Sequence, residues 1–416
     1  MRTPLRLRIA MTDRLYYTDP YLRSFDATVR GIDTRNGHTV AVLDRTAFYP
    51  TSGGQPFDSG TLGGRPVIDV FDQDDGTIAH VLTDAAGTPG ASEPELQIGD
   101  VVAGEIDWPR RFDHMQQHTG QHVLSAAFDR RFGVRTVSFH LGTDVSTIDL
   151  ARELTPGEIA AAEDAANAVV WEDRPVSIRF TSQEQAAAMP LRKEPKREGT
   201  LRLIDVEGWD LSACGGTHVA RTGAIGVIAV ASWERFKGGQ RVEFLCGGRA
   251  LKRFRAYRDA VDSSGRLLSV LPSELPSAIE RLQSEAKDRK RESVALQTEL
   301  SRYRAVELSD SAEPIGNARL VARAMDSDAN GLKALASAIT AAPGFVVVLV
   351  SSSIPALIVV ARSTGVTLSA QQILSGLIVK FGGRGGGRPE LAQGGGLSGS
   401  ADDILRTARG LIEAGS

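Results

Sequence analysis

Apolar and polar residues alternate between Phe25 and Thr83 in four short runs, FDATVRGID, HTVAVLD, RPVIDVFD and TIAHVLT, separated by Gly, Asp and Asn turns. Alternation with a period of two marks strands that bury one face. A β-rich unit over residues 12–106, closing as a small barrel, is therefore expected. Inside it FYPTSGGQPFDSGTL, Phe48 to Leu62, carries a tight turn at Ser52-Gly53-Gly54-Gln55, which on its own reads as a hairpin loop.

The period changes after residue 106. Asp107 is a candidate N-cap, Pro109 stands just inside, and Gly133 closes the run, which predicts one helix through QQHTGQHVLSAAF. TVSFHLG and VSTIDL then read as strands, and LTPGEIAAAEDAANAVVWED as a helix with a Thr155–Glu158 capping box and Pro156 in its first turn. PVSIRF, LRLIDVEG and AIGVIAVASWERF return to strand, so residues 107–248 form a mixed α+β domain. Residues 249–308 are charged and helical. Ile279, Leu282, Ala286, Leu296, Leu300 and Tyr303 follow a 3-4 stripe broken at Arg289 and Ser293, which predicts a helical hairpin or short coiled coil acting as a spacer. Residues 309–416 make a second α/β unit, with GFVVVLVS and PALIVVARS as buried strands and ADDILRTARGLIEA as the closing helix. The glycine-rich FGGRGGGRPELAQGGG before that helix reads as a backbone loop that phosphate or sugar can approach closely. The fold class is multidomain α+β.

With 416 residues the chain has room for two or three cores. Its 48 Lys and Arg against 51 Asp and Glu exclude a bulk polycation, so contact with nucleic acid must use local patches. LRKEPKREGTLR, Leu191 to Arg202, and RVEFLCGGRALKRFRAYRDA, Arg241 to Ala260, are such patches. Two cysteines exclude a disulfide framework and fit a reducing compartment. MRTPLRLRIA lacks the apolar core of a signal peptide, Met11 is an alternative start, and no run is long enough to span a membrane. A cytoplasmic protein is expected.

His118 and His122 stand at i and i+4 on the first helix and leave the same face, close enough to share one ion. Alone, such a pair reads more readily as core or surface histidines. Gly120 between them costs a helix about 1 kcal/mol relative to alanine and needs another use. The second local pair, Cys214 and His218 in CGGTH, changes the balance, because imidazole nitrogen and thiolate together suit zinc. The remaining cysteine, Cys246, reads as a small buried residue.

Taken in order, FYPTSGGQPFDSG, QQHTGQHVLSAAF, VSFHLG, LRKEP, CGGTHVARTGAIG and GGRGGGRPELAQGGG resemble the long form of the AlaX alanyl-tRNA editing proteins. That family is related to the editing and C-terminal domains of alanyl-tRNA synthetase. The resemblance covers nearly the whole chain. It implies a zinc-dependent aminoacyl-tRNA deacylase that removes serine, with glycine as a second target, from tRNA(Ala). The C-terminal unit would be a DHH-associated domain that helps to grip the tRNA. No aminoacylation motif is seen, so the chain is expected to correct and not to charge.

The implied site places zinc on His118, His122, Cys214 and His218, or on three of them with His118 or His218 loosely held. Zinc would either lower the pKa of water or anchor the substrate's amino group. Thr119 would face the amino acid and bond the seryl hydroxyl. Gly120 would admit the CCA end or a facing strand, and Gly215 and Gly216 would offer N–H groups to the ester oxygen. Arg192, Lys193, Arg384 and Arg388 would meet phosphate, and a homodimer contact would fall in the helical or C-terminal region. Two other readings stand beside this one: editing of Ser-tRNA(Thr), and a non-catalytic RNA-binding protein that zinc only folds.

Overall fold

The computed structural model describes residues 11–83, 96–192 and 199–415. The chain divides into two compact units between Ser263 and Ser264.

In the first unit six strands close a barrel in the order Ser24–Arg35, His38–Leu43, Ile78–Leu82, Arg65–Asp72, Gly60–Leu62 and Val101–Ile106. Every pairing in it is antiparallel. The alternating apolar positions point inward, with Val29, Leu43, Val70, Ile78 and Leu82 packed around Phe48. The turn at Ser52–Gln55 is closed by backbone bonds of 3.1 and 2.9 Å and leaves the ladder.

Helix α1, Trp108–Phe132, starts where Asp107 caps the Arg110 N–H at 3.3 Å and ends where Gly133 turns left-handed. It is not amphipathic in the usual sense: from Gln117 to Phe128 every residue is buried, so α1 is the central strut of its domain. Helix α2, Pro156–Trp171, begins on the Thr155–Glu158 capping box and packs beside α1. A four-stranded sheet runs Ile228–Phe236, Gly239–Cys246, Ser146–Leu150, Thr136–Leu141, and a three-stranded sheet runs Val176–Thr181, Leu201–Val206, Asp210–Ala213. Val123, Leu124, Phe128, Ile148, Val169 and Phe244 fill the core they share. Two local readings change. Thr222–Ile225 is a 3-10 turn, so the last strand begins only at Ile228, and a short helix α3, Gln183–Ala187, follows a Ser182 cap.

Helix α4, Gly247–Leu268, leads out of the first unit. In the second unit helix α5, Leu275–Asp310, buries only Ala278 and Ala305, and the stripe from Ile279 to Tyr303 is exposed. A six-stranded sheet follows in the order Glu313–Ile315, Ala318–Met325, Phe345–Ser351, Ala356–Arg362, Leu391–Leu397, Arg384–Gly387. Its central strands are apolar on both faces because both are covered. Val347 and Leu349 meet helix α6, Ala329–Thr340, while Val346, Val348 and Val350 meet α7, Ala370–Phe381, and α8, Ala401–Ala414. The glycine-rich segment is a β-hairpin and not an open loop. Cross-strand crowding explains Gly385 and Gly387, where an added Cβ would lie 2.6 Å from Gly394 Cα and 2.4 Å from Ala392 Cα.

Candidate metal centre

Four potential ligand atoms, one each from His118, His122, Cys214 and His218, lie within 4.8 Å of one another. The histidine pair comes from the buried middle of α1. The other pair comes from the loop that leaves strand Asp210–Ala213. Cys214 Sγ is 3.4 Å from Nε2 of both His118 and His218. Zinc bonds of about 2.0–2.3 Å in a tetrahedron require ligand separations of about 3.3–3.7 Å, which both of these Cys214–histidine separations meet, and the thiol and imidazole chemistry of the set is compatible with that ion.

Each imidazole uses its other nitrogen to fix its orientation. His118 Nδ1 is 2.8 Å from Gln55 Oε1, His122 Nδ1 is 2.8 Å from Asp210 Oδ2, and His218 Nδ1 is 3.2 Å from Thr119 Oγ1. Outer partners of this kind hold the ring and its tautomer while the inner nitrogen keeps its lone pair. Burial pushes the Cys214 thiol up, but the neighbouring His118, with hydrogen bonds from His118 and His122, outweighs it and holds the group well below its usual range. Burial and the neighbouring His118 push His218 down to about 3, so it is neutral and able to ligate. Burial lowers His122, but bonds to Asp210 and Cys214 reverse the shift and raise it. Asp210 is fully ionised, because His122 and Arg192 overcome the cost of its burial.

The loop is shaped around these rings. A Cβ on Gly216 would stand 2.2 Å from His118 Cε1, so only glycine lets the loop close over the ring. The Gly216 N–H is directed at Cys214 Sγ, 3.4 Å away. Arg202 Nη1 donates to the Cys214 and Gly216 carbonyls at 2.7 and 2.9 Å, and its Nε to the Tyr17 carbonyl at 2.9 Å. A cavity of about 340 Å³ opens beside the tetrad, walled by Tyr17, Tyr49, Ser52, Phe139, Gly215 and Arg202. That volume admits a small ligand.

Residues 201–243, which include Cys214 and His218, match the family described as the threonyl and alanyl tRNA synthetase second additional domain. The alanyl-tRNA editing protein AlaX-L of Pyrococcus horikoshii is 29% identical over 92% of this chain and 94% of its own length. The chain is homologous to that editing protein over nearly the full length of both. Alanine–tRNA ligases are similar as well: that of Pyrococcus abyssi is 32% identical over 92% of this chain, and that of Halorubrum lacusprofundi 35% over 97%. The chain spans only 42% and 44% of the lengths of those two ligases.

The other residues singled out by sequence fall in several places. Gly120 faces strand Gly239–Cys246, where an added Cβ would lie 2.2 Å from Cys246 Sγ. Gln117 brackets the same cysteine, accepting from its N–H at 2.9 Å and donating to its carbonyl at 3.0 Å. Thr119 is fully buried behind His218 and does not line the cavity. Its hydroxyl donates to the Met115 carbonyl at 2.8 Å and accepts from Val219 N–H at 3.1 Å, besides meeting His218. Arg192 lines the cavity, but its guanidinium is bound to Asp210 at 2.5 Å. Lys193 lies outside the described residues. Arg384 and Arg388 are exposed on the hairpin of the second unit. Sequence reasoning missed Gln55, Asp210 and Arg202. SGGQP pointed to a turn near Gln55, whereas Asp210, 88 residues from His122, gave no local signal.

Proposed function

We propose that the chain is a trans-acting deacylase that hydrolyses mischarged Ser-tRNA(Ala), with Gly-tRNA(Ala) as a second substrate and zinc at the tetrad. The observation that carries this reading is a cysteine and three oriented imidazoles gathered beside a small-ligand cavity that His118, His122 and Cys214 line, in a homologue of an alanyl-tRNA editing protein. Zinc, when bound, supplies Lewis-acid polarisation for cleaving the ester between the amino acid and the terminal ribose.

The chain's own residues do the rest. Gln55, Asp210 and Thr119 hold the three rings, and Thr119 acts on the amino acid only through His218. Gly216 N–H is committed to Cys214 Sγ, which leaves the Gly215 side of the loop to face the ester. Arg202 clamps that loop and keeps an Nη2 with no hydrogen-bond partner among the described residues, a source of positive charge beside the bond to be broken. Ser52, Thr136, Ser138 and Ser212 bring hydroxyls to the cavity, where a seryl side chain would be read.

A closed shell of four protein ligands favours a second reading, in which zinc only folds an RNA-binding domain. Deacylation assays separate the two. Release of serine from Ser-tRNA(Ala) but not alanine from Ala-tRNA(Ala), abolished by chelation and restored by zinc, supports the enzyme. No release by zinc-loaded protein supports the structural reading, and activity confined to Ser-tRNA(Thr) would overturn the substrate.

A further inference from the structure

We propose that Gln55, carried by the barrel, is the positioning residue that joins the two halves of the metal centre and fixes which nitrogen of His118 faces the ion. Gln55 is 1% exposed and sits on the Ser52–Gln55 turn. That turn is docked on the editing domain: the Gly54 carbonyl accepts from Leu141 N–H at 3.0 Å, and a Cβ on Gly54 would touch the Phe139 ring at 2.9 Å. The barrel therefore delivers the side chain at a set place.

The carboxamide makes three bonds there. Its Oε1 lies 2.8 Å from His118 Nδ1 and accepts the Thr217 N–H at 3.1 Å, while its Nε2 donates to Thr217 Oγ1 at 2.9 Å. A backbone N–H can only donate, so the atom facing Thr217 N must be the amide oxygen. An amide oxygen can only accept, so His118 Nδ1 must carry its proton. The lone pair of His118 is thereby left on Nε2, the nitrogen 3.4 Å from Cys214 Sγ. One oxygen thus ties the α1 half-site to the Cys214–His218 loop. The partners of His122 and His218 come from the editing domain itself, Asp210 and Thr119. His118 alone among the three takes its orientation from the barrel.

This inference rests on the metal reading of the tetrad and is independent of the substrate. Its test uses the full chain, with zinc affinity measured by chelator competition. Gln55→Met keeps the length and removes the hydrogen bonds, and it is expected to weaken zinc binding by roughly 10–100-fold. Gln55→Glu keeps an acceptor for His118 and is expected to stay within a few-fold of the parent. Nitrogen-15 histidine spectra of the zinc-loaded parent should show a slowly exchanging Nδ1 proton on His118 that Gln55→Met loses and His122 keeps. Thr217→Val removes only the anchoring hydroxyl, guards against a Gln55→Met chain that fails to fold, and should weaken binding on the order of fivefold. A parent that binds no zinc overturns the metal reading. A parent that binds zinc, beside a Gln55→Met or Thr217→Val variant of equal affinity and an unchanged His118 proton, overturns the role of Gln55 alone.

Discussion

Replacing Gly120 with alanine tests whether α1 is pinned against its neighbouring strand. In a free helix this change should stabilise by about 1 kcal/mol. Here the new Cβ would lie 2.2 Å from Cys246 Sγ, while Cys246 Cβ and Ile225 Cγ2 stand at 3.5 and 3.6 Å. One atom makes the clash; Gln117 holds the Cys246 backbone on both its N–H and its carbonyl, so relief requires the fully buried sulfur to turn within a packed core. Overpacking of a tight core costs about 1–3 kcal/mol, and a contact this short belongs at the upper end. The net expectation is a loss of about 2 kcal/mol. Cys246→Ala removes the offending sulfur, so the double variant should recover most of that loss, with a coupling of about 2 kcal/mol between the two sites. Urea denaturation of the zinc-saturated protein, read by tryptophan fluorescence, isolates the relevant unit: Trp108, Trp171, Trp209 and Trp233 are the four tryptophans and all precede Ser264. Gly120→Ala as stable as the parent, or additive with Cys246→Ala, would refute the packing described for α1.

Asp210→Asn keeps an acceptor for His122 but removes the charge it shares with Arg192, and should weaken zinc affinity about tenfold in a competition titration. Burial pushes His80 down to about 4, and burial with the nearby Arg110 does the same to His114, from an unfolded value of 6.5. Both are neutral when folded and bind a proton more readily when unfolded, so stability is intact above pH 6.5 and falls as pH drops from 6.5 toward 4; urea midpoints across that window should fall, and His80→Gln should remove about 1.4 kcal/mol per pH unit of the slope near pH 5. Changing Arg384 and Arg388 together to alanine should weaken tRNA binding and flatten its salt dependence while leaving hydrolysis of a short acylated CCA mimic unchanged; full affinity with the parental salt slope would remove the hairpin from the interface.

The elements that could be read in advance are those whose ends are written locally. Asp107, Pro109 and Gly133 bound α1, and Thr155, Pro156 and Glu158 start α2, because caps are satisfied within one turn of chain. The four candidate ligands were legible for the same reason, since each half-site is a pair four residues apart. What orients them was not legible. Gln55 meets His118 across 63 residues and Asp210 meets His122 across 88, so neither contact exists until the barrel and the sheets have docked. Arg192 looked like a phosphate ligand because its patch is basic, yet the buried carboxylate of Asp210 has claimed its guanidinium. Glycine is ambiguous for a related reason: a run of it permits a loop, a close strand pair or a ligand's approach, and only the facing strand Leu391–Leu397 selects the hairpin.

In the proposed function the His118, His122, Cys214 and His218 tetrad holds the zinc on which deacylation depends. Its most direct test is to measure zinc content and serine release from Ser-tRNA(Ala) side by side in the parent and in Cys214→Ala. The parent should carry about one zinc per chain and release serine briskly, with both lost together in the variant. Full activity in a variant verified to be free of zinc would contradict it.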